Sequence, residues 1–266
     1  MYGHAMQNQF GFLIDKETTP QPKQFKVLLI GDTCTDRYVY GRVTRISPEA
    51  PVPVMVYDRV EDAKGMAWNV RENLLSFGDD VYMMTHEARI TKTRYVDSKS
   101  NQQIMRLDEN DEAEDFGWDL PKEKFDAMVI SDYNKGFLSQ EKIQELVDWF
   151  DGPVFIDSKK TILPTTCFIK INDREAQELE GEYPNLIVTK GSEGCTYNGR
   201  TFPGIKVPVF DVAGAGDTFL AALVHFYLLL GTIDRAIPYA NKAAALAVTH
   251  FGTYVLSNDD VNEIRC

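Results

Sequence analysis

Apolar and polar positions along the chain follow two different periods. "KVLLIGD" (26–32) is an unbroken apolar run ending in Gly-Asp, the pattern of a parallel strand buried on both faces. "DAMVISD" (126–132), "GPVFIDSK" (152–159), "CFIKIN" (167–172) and "NLIVTKG" (185–191) repeat it. Helical spacing separates them. "WNVRENLLSFG" (68–78) stops at a glycine, and "SQEKIQELVDWF" (139–150) starts on a Ser cap. "DTFLAALVHFYLLLG" (217–231) and "IDRAIPYANKAAALAVTHFG" (233–252) close the chain as helices. From residue 126 onward this alternation predicts an α/β fold with a largely parallel sheet and helices on its faces. "VPVMVY" (52–57), "RITKTRYV" (89–96) and "NQQIMRLD" (101–108) carry strand-like alternation. They predict a small separate sheet, the last two forming a hairpin. Residues 1–24 read as a polar extension to a folded unit over 25–266.

In such sheets ligands bind beyond the carboxyl ends of the strands. Asp32, Asp36, Asp132, Asp157, Lys159, Asn172, Glu175 and Thr189 to Gly191 all fall there. Strand ends are also where polar loops begin, so no single residue decides the matter; five strands ending this way favour a site. "DVAGAGDTF" (211–219) is more specific: Gly214, Ala215 and Gly216 precede Asp217 and a long apolar run. The first turn of a helix offers free N–H groups and the positive end of a dipole. Small residues let an anion approach those groups. A phosphoryl group in transfer is such an anion, and an adjacent carboxylate could take a proton from an attacking hydroxyl. Asp217 could equally be an N-terminal helix cap.

The net charge of −12 speaks against a nucleic-acid partner. Cysteines 34, 167, 195 and 266 form no CxxC pair and match no zinc or disulfide framework, so a reducing, cytoplasmic setting is expected. The longest apolar run, 219–230, is too short to span a bilayer, and no membrane association is expected.

"DVAGAGDTF" resembles the signature of the ribokinase-like (PfkB) carbohydrate kinases, and further segments agree in order. Asn172-x-x-Glu175 is similar to the family's Asn-x-x-Glu element, "VTKGSEGC" (188–195) to its nucleotide-covering turn, and "ANKAAALAV" (240–248) to the helix carrying an Asn beside the nucleotide. "GDTCTDRYVYGRVTRISPEAPVPV" (31–54), "SNQQIMRLD" (100–108) and "SDYNKGFL" (131–138) resemble, more narrowly, the bacterial D-glycero-D-manno-heptose 7-phosphate kinase domain. The resemblance implies a three-layer α/β/α fold with a small β lid, its strands at about 38–60 and 89–108. It also implies ATP-dependent phosphorylation of a sugar or sugar phosphate, with Mg2+. Asp217 would be the base, with Gly214, Ala215 and Gly216 as anion hole. Thr189, Lys190, Gly191, Gly194 and Asn241 would meet the nucleotide, and Asn172 and Glu175 would hold the metal through water. The acceptor would meet Asp36, Gly65, Asn69, Asp132 and Lys159, with Lys92, Arg94 and Arg106 on the lid hairpin for its phosphate. A homodimer through lid strands is implied as well.

The chain departs from the pattern twice. Met66 stands at the second position of the usual glycine pair, and Trp68 replaces a small residue. After Gly78, about thirty residues, the length of a strand–helix–strand unit, are missing relative to the family. Two other readings stay open for these reasons: a non-catalytic nucleotide or sugar binder, and a kinase acting on another sugar or a nucleoside.

Overall fold

The computed structural model describes residues 23–117 and 119–266. All but the last two residues of the expected polar extension lie outside the described residues. Strand β1 (Lys26–Gly31) sits inside an eight-stranded sheet. Its neighbours are β4 (Asp80–Met84), at the edge, and β7 (Ala127–Asp132). Beyond β7 follow β8 (Val154–Ser158), β9 (Phe168–Asn172) and β10 (Leu186–Thr189), all parallel. Strands β11 (Gly194–Tyr197) and β12 (Arg200–Pro203) extend the sheet antiparallel, a hairpin that the apolar pattern does not announce.

Side chains on successive strand residues point to opposite faces, and β1 shows why its run is continuously apolar. Val27 and Leu29 pack with helices α1 (Ala67–Ser76), α4 (Ala215–Leu230), α5 (Ile233–Ala247) and α6 (Asn258–Arg265). Leu28 and Ile30 pack on the other face with Ile143 and Leu146 of α2 (Gln140–Trp149). The result is the expected three layers. Ser139 caps α2 by accepting from the Lys142 N–H.

The second sheet has the order β3-β2-β5-β6, with β2 (Thr33–Ile46), β3 (Pro53–Met66), β5 (Thr91–Asp97) and β6 (Gln103–Glu109). Its first two strands are longer than the 38–60 expected, because their polar outer ends hide the alternation. The shortening after Gly78 is not total. Strand β4 survives against β1, and only Thr85–Ile90 separates it from β5. A five-residue edge strand exposes little unpaired backbone.

Gly31 lets β1 lie against β7. A Cβ there would overlap the Ser131 carbonyl and touch Ala67. Gly31→Ala should therefore cost roughly 3 kcal/mol of unfolding free energy in a urea titration; a midpoint equal to the parent's would refute this packing.

Candidate active site

Gly214 is the N-cap of α4, with φ 75° and ψ −3°, a left-handed conformation suited to glycine. Asp217 therefore is not the cap, which removes that alternative. The Asp211 carboxylate fixes the approach to the helix by accepting from the Ala213 and Gly252 N–H groups, each at 3.0 Å. Ala215 N–H donates to Val212 O at a long 3.3 Å. The Gly216 and Asp217 amides have no hydrogen-bond partner among the described residues. They open, with Gly214 and Ala215, onto a cavity of about 730 Å³.

Asp217 lines this cavity while only 3% exposed. Its Oδ1 accepts from the Tyr133 hydroxyl at 2.8 Å and its Oδ2 from Asn69 Nδ2 at 3.2 Å. Burial lifts its pKa to about 6, with the Asp157 charge adding and the Tyr133, Lys170 and Asn69 contacts opposing. The carboxyl group thus titrates close to neutrality, where a general base works best.

Lys170 is a site residue that motif reading missed. It points from β9 into the cavity, pairs with Asp157 at 2.6 Å, and is 5% exposed. Burial works against its charge, but the Asp157 carboxylate, with Asp217 and Glu175 adding, holds the ammonium above its ordinary pKa. Burial raises Asp157, with Lys170 opposing. A Cβ added at Gly216 would stand 2.9 Å from Lys170 Nζ, so the ammonium would have to shift away from the cradle. The signal in the sequence was a lysine between Ile169 and Ile171 in a buried strand. Tyr133 was missed too, for it follows an apolar strand like any loop aromatic.

Of the residues expected at the nucleotide, Thr189, Gly191, Gly194 and Asn241 line the same cavity, and Val207, Val209, Val212, Ala244 and Val248 give it an apolar wall. Lys190 is exposed and lies outside the lining. Asn241 Nδ2 donates to the Phe202 and Pro203 carbonyls, bracing the wall at the end of β12. Asn172 and Glu175 both line the cavity and form a capping box on α3 (Asp173–Glu178). Each keeps one polar atom outside that box. Asp132 and Lys159 also line this cavity. Asp132 is held by Lys160 at 3.1 Å, and Lys159 stands 3.8 Å from Glu175.

Of the other residues expected at the acceptor, Asp36, Gly65, Lys92, Arg94 and Arg106 sit on the lid sheet and Asn69 on α1, all outside this cavity. Strand pairing sets Asp36 beside Lys92, and Arg94 opposite Arg106, so alternation puts these four on one face. Arg94 binds Asp36 at 2.5 Å, and Thr253 donates to the same carboxylate at 3.0 Å. Burial lowers Lys92, and Lys135 and Arg106 push the same way. Arg106 is exposed and paired with Asp108. Gly65 leaves no room for a Cβ beside Cys34 and Asp36. Asn69 turns to Asp217 and the Gly214 carbonyl rather than to the lid face. Met66 adopts φ 58° and ψ −134°, a region natural to glycine, yet its side chain is buried with Cys34 and Ile90. Among the described residues no group of three His, Cys, Asp or Glu side chains converges as a metal site.

The pfkB carbohydrate kinase family profile matches residues 143–260. Bifunctional protein HldE of Aliivibrio fischeri (strain MJ11) is 31% identical over 312 residues, covering 93% of this chain and 65% of that protein. HldE of a Nitratiruptor species is 28% identical over 298 residues, covering 90% and 64%. Both alignments exceed the 266 residues of the chain, so the relatives carry segments that it lacks. The Thermotoga maritima ribokinase matches with TM-score 0.65 at 16% identity, covering 90% of this chain and 99% of that one. The Methanocaldococcus jannaschii nucleoside kinase matches with TM-score 0.63 at 16% identity, covering 92% and 99%. The fold is ribokinase-like, and residues 143–260 carry a pfkB family carbohydrate kinase domain. It spans 64–65% of the length of these HldE relatives.

Gly216→Ala tests the cradle. It should leave unfolding stability within about 1 kcal/mol of the parent, because alanine suits a helix. Turnover, read as ADP release, should fall about tenfold or more as the added methyl meets Lys170. Unchanged turnover would show that the position of the Lys170 ammonium beside residue 216 does not matter for transfer.

Proposed function

We propose that this chain transfers the γ-phosphoryl group of ATP to a sugar hydroxyl, with a heptose 7-phosphate as acceptor. The observation that carries the reading is the pairing of unpartnered helix amides with a buried carboxylate titrating near neutrality at one cavity. The acceptor hydroxyl gives its proton to Asp217 as its oxygen bonds to the γ-phosphorus. The bond from that phosphorus to the β,γ-bridging oxygen breaks, and the electron pair leaves on ADP. The Gly216 and Asp217 amides face the charge on the transferring group, and the Lys170 ammonium lies next to it.

The residues present fit a magnesium ion held mainly by phosphate oxygens and water, since no protein cluster among the described residues would chelate it directly. Glu175 and Asn172 would steer that water. The ion, when bound, supplies neutralisation of phosphate charge. Lys92, Arg94 and Arg106 support a phosphorylated acceptor, because three cations on the lid face that carries Asp36 suit an anionic sugar. The exposed Val56, Tyr57, Val60, Met105 and Leu107 of the lid sheet support a dimer through that sheet. The thiols of Cys34, Cys167 and Cys195, unpaired and buried, support a reducing, cytoplasmic setting. Met66, filling a glycine position on the acceptor side, favours the second reading, a binder without turnover.

Incubation with Mg-ATP and a panel of sugars and sugar phosphates, with products identified by mass, decides between them. ADP release confined to heptose 7-phosphate supports the proposal; release with no acceptor in the panel sinks it. Asp217→Asn should keep ATP binding and lose about 10²–10⁴ of turnover. In the parent the base must be ionised, so the rate should climb as pH rises through about 6. A rate that stays flat between about pH 5 and about pH 8 would contradict Asp217 as base. Sedimentation of Val56→Glu beside the parent tests the dimer, which should shift towards monomer.

A further inference from the structure

Tyr133 occupies the junction of lid, cavity and base. It follows β7 directly, and its N–H donates to Asp32 Oδ2 at 2.7 Å, which fixes the backbone there. Its ring packs against the buried Cys34, Met66 and Ile90. Two ammonium groups stand over that ring: Lys92 from the lid at 5.4 Å and Lys159 from the cavity wall at 5.1 Å. Such contacts draw the cations and the ring together. The hydroxyl donates to Asp217 Oδ1 at 2.8 Å, while Asn69 holds Oδ2 at 3.2 Å.

A carboxylate has about four lone-pair sites. With one donor on each oxygen, the group is fixed in rotation and still keeps lone pairs for an acceptor hydroxyl. With Asn69 alone it could turn about its last bond. We infer that Tyr133 is a positioning residue of phosphoryl transfer: its hydroxyl fixes the Asp217 carboxylate for proton acceptance, and its ring ties that orientation to the lid through Lys92. The inference rests on the kinase reading above and adds to it a residue that acts through the base.

The groups facing Asp217 are Tyr133 just after β7, Asp157 from β8, Lys170 from β9, Asn69 from α1 and the Cys34 thiol from β2. Burial raises its pKa to about 6, and the Tyr133 bond is the first of the contacts opposing that rise. Loss of the hydroxyl must then move the acid limb of the rate profile upward.

The test compares pH–rate profiles of the parent and Tyr133→Phe with Mg-ATP and heptose 7-phosphate, beside ATP affinity by calorimetry. The phenylalanine variant should lose about tenfold or more in kcat, with its acid limb raised by about one pH unit and ATP affinity within about twofold of the parent. A purely structural role would not move the limb. Replacement of Tyr133 by 3-fluorotyrosine keeps the ring and strengthens the donor, so the limb should move down. A limb that stays in place in both proteins, with kcat near the parent's, overturns the inference. A parent that turns over none of the panel sinks the kinase reading and this inference together. Turnover by the parent beside an unmoved limb sinks the inference alone.

Discussion

A charged carboxylate taken out of water is unstable unless the protein returns the hydrogen bonds and opposite charge that water supplied. Asp217 is in that position, and much of the surrounding chain answers to it. Tyr133 and Asn69 supply donors, Lys170 supplies charge, and Asp157 keeps Lys170 paired while adding its own repulsion. The compensation is incomplete: burial still wins, and the group titrates near neutrality instead of near 4. A fully compensated carboxylate would be a poor proton acceptor, and an uncompensated one would remain protonated.

The same four partners come from four separate places in the chain: α1, the residue just after β7, β8 and β9. The parallel sheet makes this possible, since its strands end side by side beneath the N-terminus of α4. Gly214 and Gly216 then have distinct tasks. Gly214 turns the backbone into the helix at positive φ, and a Cβ on it would stand 2.6 Å from Asn69 Nδ2. Gly216 keeps room beside Lys170. The signature in the sequence is thus a record of two close approaches, one to each flank of the base.

That also explains what could be read without coordinates. Continuous apolar runs announced β1, β7, β8, β9 and β10, because strands buried on both faces need no polar residue. The glycine–acid signature announced the cradle for local reasons. The partners of Asp217 were not legible, since Tyr133 lies 84 and Asn69 148 residues away in the chain. Asn69 reads as an acceptor ligand from its motif, and its bond to Asp217 appears only in the structure. Strands β11 and β12 escaped notice because four-residue strands split by Asn198-Gly199 carry too few alternations to register. Helix α6 escaped for a similar reason: its Ser257 capping box is clear, but only Val261 and Ile264 are buried along it.

The shortened segment after Gly78 has a structural consequence that bears on Met66. With β4 running almost straight into β5, Thr85–Ile90 is laid along the start of β2. Thr33 N–H donates to His86 Nε2 at 3.1 Å, Thr33 and Thr85 share a hydroxyl bond at 3.0 Å, and Thr35 N–H donates to the Ile90 carbonyl at 2.9 Å. This brings Ile90 into the buried cluster with Cys34 and Met66. A methionine at φ 58° carries a backbone penalty of order 1–3 kcal/mol, which burying its side chain against Ile90 offsets at about 1.5–3 kcal/mol. The non-glycine residue and the short connection therefore belong together. In a chain where the link left β2 by another route, Met66 would keep the strain and lose part of its cover, and glycine would be the more stable choice.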